Sequence, residues 1–170
     1  MNKRTYAGLG VVLTAMAWLS AGCFQTETTL GPVEQATVDA RLVGDWKVAG
    51  DAESTVLTVR NFNGREYYIE ERTAGKDTVR YAGFVIAVKD VSFVHVRPLE
   101  DDGTLPKEHV ILRVDRVDDA KVNLRQLNGA FFTDKPHDTT AKLRAIVEAN
   151  LANAAMYEGE EPIVLTRAAK

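Results

Sequence analysis

The residues able to do chemistry in this chain are few and scattered. Histidine occurs three times, at His95, His109 and His137, and no two stand at the spacing with which one element holds a metal. His95 and His109 fall on separate expected strands that can be neighbours, but zinc takes three or four oriented ligands. The pair therefore reads as structural, and no metal or other cofactor is expected. Acid doublets stand at Asp101-Asp102, Asp118-Asp119 and Glu160-Glu161. Paired carboxylates can serve acid–base chemistry or calcium. Each doublet here lies in or beside an expected turn, where acids are solvated or bond the local backbone. No Gly-rich phosphate loop opens a helix, no Gly-X-Ser-X-Gly elbow occurs, and Ser54 and Ser92 have no base partner in the pattern. No residue is assigned a catalytic role, and the expectation is a non-enzyme. An enzyme of a class without a short motif would have to work through His95 and His109.

Cys23 is the sole cysteine, so it can form no internal disulfide. Lys3-Arg4 opens the segment before it, an uncharged apolar stretch runs from Tyr6 to about Leu19, and Ser20-Ala21-Gly22 follows. A charged start, an apolar centre and a small-residue site make an export signal, and the stretch is short for a membrane span, which takes about 20 apolar residues. Leu19-Ser20-Ala21-Gly22-Cys23 resembles the lipobox of bacterial lipoproteins, with the leucine one place further from the cysteine than is usual. The resemblance implies that residues 1–22 are a signal peptide, that Cys23 carries fatty acyl chains such as palmitate, and that the chain is lipid-anchored in the cell envelope. Phe24-Gln25 follows Cys23 where an aspartate is absent, which by the same resemblance suggests the outer membrane if the host has two. Each buried methylene adds about 0.8 kcal/mol, so three acyl chains anchor firmly. The alternative is an ordinary secretory signal with an incidental cysteine.

Removing residues 1–22 takes away Lys3 and Arg4 and no acid, leaving 19 basic against 24 acidic residues, a net charge of −5. A mildly acidic chain with scattered basic residues is not built for nucleic acid, which needs a basic face. The remaining length suits one domain with a real core.

Residues 23–40 read as the lipidated cysteine followed by a flexible tether, being polar around Gly31-Pro32. A short helical turn is expected over 37–43, and the domain occupies 41–170. Trp46-Lys47-Val48 opens a first strand. Thr55 to Phe62 and Arg65 to Arg72 flank Asn63-Gly64, a strong hairpin signal. Thr78 to Val88 is a long strand whose apolar phase shifts near Gly83, which suggests a bulge or bend there. Val91 to Arg97, Glu108 to Arg116 and Lys121 to Leu127 follow, the last two alternating with Val110, Leu112, Val114, Val122 and Leu124 in one phase. Asp138 is the expected cap of a helix from Thr139 to about Ala152, with Leu143, Ile146, Val147 and Leu151 on one stripe. Ile163 to Arg167 is the last strand. Eight strands in an antiparallel meander with short links predict a mainly β fold. Closure of the sheet removes both free edges, the last strand pairing with the first and the helix plugging or flanking one end.

Gly44-Asp45-Trp46, after Leu42-Val43, resembles the Gly-X-Trp signature at the first strand of lipocalins and lipocalin-like barrels. That resemblance implies a Trp46 packed across the closed base of the barrel and covered by a basic residue of the last strand, Arg167 by position. No counterpart of the Thr-Asp-Tyr motif of true lipocalins occurs, and the helix precedes the last strand instead of following it. The other reading of Trp46 is a core aromatic of an open sheet with a packed helix. In a barrel, Tyr67, Tyr81, Phe84 and Phe93 are the candidates to line a cavity, and eight strands leave room for one small ligand or for a side-chain filling. The expected function is a lipid-tethered binding module for a small apolar ligand. The alternative is a filled β domain that acts as a structural component or binds another envelope protein.

Overall fold

The computed structural model describes residues 24–51 and 54–168; Cys23 and the export signal expected before it lie outside the described residues. Nine strands follow one another: β1 (Gln25–Thr26), β2 (Gly44–Val48), β3 (Val56–Asn61), β4 (Glu66–Arg72), β5 (Val79–Val88), β6 (Val91–Pro98), β7 (His109–Val117), β8 (Lys121–Gln126) and β9 (Ile163–Arg167). A one-turn helix α1 (Gly129–Phe132) and the longer α2 (Thr140–Ala149) lie between β8 and β9. Each strand from β2 to β9 pairs antiparallel with its successor, and β9 returns to β2 with Trp46 opposite Arg167. Eight strands thus close into a barrel, which leaves none of them with an unpaired edge.

The barrel follows from strict period-two alternation. Directly paired residues share a face, so one ring of pairs points inward: Trp46 with Leu57, Val59 with Ile69, Val94 with Leu112, Leu124 with Ile163. The residues between them point outward. On most strands these are polar, but on β5, β6 and β7 they are not. Phe84, Ile86, Val88, Phe93 and Ile111 form the floor of a second core on the outside of the barrel. Phe132 of α1, Leu143 and Val147 of α2, and Met156 cover it from one side, and Phe24, Leu30 and Ala36 of the N-terminal segment complete it.

Three expectations are corrected. The residues expected as a free tether are packed: Phe24 stacks on Phe132 with ring centroids 4.1 Å apart, Leu30 is fully buried, and β1 pairs with β7 where β7 runs beyond the end of β8. A few apolar residues in a polar stretch were enough, because an apolar outer wall waits for them. Gly83 carries no bulge; β5 pairs in unbroken register with both neighbours through it, and the register shift lies in β7 between Val114 and Arg116. The apparent change of phase arises because β5 is buried on both faces from Gly83 to Ile86, and such stretches read as continuous apolar runs. Of the two places expected for it, helix α2 takes the flank, packing on the outside of the barrel with Arg144 at the last turn of β5. Its cap is Thr139, whose hydroxyl accepts from the Lys142 amide at 3.3 Å, whereas Asp138 pairs with the Lys142 Nζ at 2.8 Å.

Arg144 locks the layers together, donating to the carbonyls of Leu30 at 3.1 Å and Ala87 at 3.0 Å. Leu143→Ala is expected to lower unfolding free energy by about 2–5 kcal/mol, the cost of a cavity in a dry core. Urea denaturation followed by circular dichroism checks this, and a loss below 1 kcal/mol would show that the outer core is loosely packed.

Candidate functional site

One end of the barrel is shut by a small set of groups around Trp46. The indole is buried, and its Nε1 donates to the Leu42 carbonyl at 2.9 Å. The Arg167 guanidinium carbon lies 4.0 Å from the centre of the ring, a cation–π contact. Its nitrogens donate to the carbonyls of Val43 at 2.7 Å, Asp119 at 2.9 Å and Arg41 at 3.2 Å. A Cβ on residue 44 would stand 1.8 Å from Arg167 Nη1, so Gly44 is needed for the guanidinium to lie where it does. The segment before β2 is tied to the same end: the Asp39 amide donates to the Tyr67 hydroxyl at 2.6 Å. Burial pushes the Tyr67 hydroxyl up to about 12.

Inside, the walls leave a cavity of about 160 Å³. Its lining is almost wholly apolar: Leu42, Trp46, Val48, Leu57, Val59, Ile69, Val94, Val96, Leu112, Val114, Val122, Leu124, Ile163 and Leu165. Four polar side chains interrupt it, Thr55, Tyr67, Glu71 and Tyr81. Thr55 bonds Thr73 through the two hydroxyls at 2.9 Å, and Tyr81 donates its hydroxyl to Glu71 Oε2 at 2.7 Å. These groups cluster where β4 ends and β5 begins, at the opposite ends of the strands from Gly44. Burial raises the Glu71 carboxyl above its ordinary range, against the opposing pull of the Tyr81 hydrogen bond. Burial and the neighbouring carboxylate push the Tyr81 hydroxyl up strongly.

Of the aromatic residues expected to line a cavity, Tyr67 and Tyr81 lie in its wall. Phe84 and Phe93 do not. Each is an odd number of residues away from an inward position on its own strand, so both point into the outer core. Glu71 was missed as a wall residue, although its signal is plain: it follows Tyr67 and Ile69 at two-residue intervals on the inward face of β4.

His95 and His109 do meet, on the outer wall. Their ring centroids are 5.9 Å apart, and His95 stacks on Phe84 at 4.7 Å with an interplanar angle of 3°. Among the described residues neither nitrogen of His95 has a hydrogen-bond partner, and nor has Nδ1 of His109. Burial, then the neighbouring His109, depresses the His95 imidazole to about 3; burial, then Arg97, depresses His109 to about 4. Both are neutral rings in a dry layer. Among the described residues no group of three or more His, Cys, Asp or Glu is gathered as for a metal ion. His137 stands apart from them, bonded through Nδ1 to the Lys135 carbonyl at 2.7 Å and edge-on to Phe24.

The chain matches no family model, and comparison with curated proteins and with solved structures gives no match either.

Two consequences are measurable. Gly44→Ala is expected to expel the Arg167 guanidinium and cost about 2–3 kcal/mol. In a double-mutant cycle with Arg167→Ala the two losses should be clearly less than additive; full additivity would mean that the two positions do not share one interaction. The buried histidines set an acid limit. Their folded values lie below the ordinary 6.5, so the unfolded chain binds protons first as pH falls. The stability they leave intact above pH 6.5 is lost between 6.5 and about 4 for His109, and down to about 3 for His95, at up to about 1.4 kcal/mol per pH unit for each ring. His95→Phe should unfold less steeply with acid over that window; parallel pH profiles for variant and parent would disprove the assignment.

Proposed function

We propose that this chain is a membrane-anchored envelope lipoprotein of lipocalin-like architecture, a non-enzymatic module whose barrel holds one small apolar ligand. The observation that carries the reading is the apolar cavity of about 160 Å³ inside the barrel. Cavities lined by aliphatic and aromatic side chains stay dry and take up apolar guests of matching size. Kinship with lipocalin-like barrels is supported by the grouping of Gly44, Trp46 and Arg167 at the sealed end. Anchorage rests on the signal pattern ending in Cys23. Phe24, the next residue, is packed against the barrel wall, so an acylated Cys23 would hold the domain close to the bilayer with no slack between them.

Growth with labelled palmitate is expected to label the chain and to leave Cys23→Ala unlabelled and released from the membrane fraction. Label retained on the variant contradicts the anchor. For the ligand, organic extraction of the purified chain followed by mass spectrometry should release a small apolar molecule. Toluene should saturably change the fluorescence of Trp46, the sole tryptophan once residues 1–22 are removed. An empty extract together with no saturation favours the other reading, a filled barrel that acts as a structural component or binds an envelope protein.

A further inference from the structure

Glu71 is a carboxylate in an apolar wall, and that placement is costly unless something uses it. Of the other polar side chains in the wall, each is already engaged with the protein: Thr55 with Thr73, Tyr67 with the Asp39 backbone, and Tyr81 with Glu71 Oε2. Tyr81 fills one acceptor site of the Glu71 carboxylate, which has others, and the Lys76 ammonium acts on it through charge alone. Because Tyr81 spends its proton on Glu71, its own oxygen is left as an acceptor too. The polar end of the cavity therefore presents acceptors: a carboxylate oxygen and a phenolic oxygen.

We propose that Glu71 and Tyr81 are the recognition end of the cavity, and that they select a small apolar molecule carrying one hydroxyl or amine donor while rejecting carboxylates. This selectivity presupposes that the cavity binds a ligand, as proposed above. Size and charge point the same way. A volume of about 160 Å³ is close to the roughly 150 Å³ of an apolar cavity that accepts benzene, so the guest is about one ring with a short arm. A long acyl chain does not fit. A ligand carboxylate would also sit beside the half-buried Glu71 carboxylate, and two like charges held close against an apolar wall repel. A donor meets a charge-assisted acceptor instead, the stronger kind of hydrogen bond.

The test is a matched series of four ligands sharing one ring: toluene, benzyl alcohol, benzylamine and benzoate. Each is titrated calorimetrically into the purified full chain. Benzyl alcohol or benzylamine is expected to bind at least about tenfold more tightly than toluene, as a net hydrogen bond to a charged group provides, and benzoate more weakly than toluene. Glu71→Gln should reduce the donor advantage to within about threefold and relieve the exclusion of benzoate, with circular dichroism confirming that the variant is folded. Tyr81→Phe, which retains the carboxylate, should keep the exclusion of benzoate. If toluene and benzoate bind as tightly as the donor ligands, the selectivity is overturned while the cavity still binds. If none of the four binds to the wild-type chain, ligand binding itself fails and this inference with it.

Discussion

Closure of the barrel turns on one strand pairing, β2 against β9, and on what happens at its edge. Trp46 faces Arg167 across that seam, and the arginine folds over the indole while binding three backbone carbonyls. A buried indole would otherwise expose its face at the barrel mouth, and three carbonyls would lack a donor. Gly44 makes the contact sterically possible by leaving the guanidinium the volume a side chain would occupy. With the seam shut, no strand of the barrel has a free edge and the interior is sealed at one end. The cavity exists because of that seal. If the seam opened, Leu57, Val122 and Leu165 would be exposed to water.

The outer core is the second organising feature, and it explains how a single β sheet here buries both of its faces. Three adjacent strands carry large apolar residues outward, and helix α2, α1 and the N-terminal segment are drawn onto them. Burial of that surface is worth roughly 25 cal/mol for each Å², enough to order a segment whose own composition is polar. The cost is paid in acid tolerance. His95 and His109 fill positions in this dry layer as neutral rings, and their protonation is incompatible with it.

The two cores also divide the labour of the fold. The inner one is made mostly of branched aliphatic side chains, too small to fill the barrel, and so leaves a void. The outer one takes every phenylalanine but the exposed Phe62 and packs tightly. That partition is the reason the cavity is small and aliphatic, and why Glu71 and Tyr81 stand out within it.

Much of this was legible in the order of the residues. Period-two alternation in β4, β7 and β8, the Asn63-Gly64 hairpin and the isolated stripe of α2 determine the strands, the meander and the single long helix, because side-chain direction along a strand or helix is a local property of the backbone. The resemblance of Gly44-Asp45-Trp46 to the Gly-X-Trp signature implies a basic partner on the last strand, and Arg167 is that partner at the seam. The sequence alone does not tell inside from outside on β5 and β6, where both phases carry apolar residues, so Phe84 and Phe93 read as cavity candidates although they face the outer core. Nor could it show that residues 24–36 have a wall to pack against, since that wall is assembled from strands some sixty to ninety residues away. Which apolar face looks inward, and whether an acid such as Glu71 meets solvent or a cavity, are decided only when the sheet curves and closes, because burial is a property of the surface a residue meets and not of the residue itself.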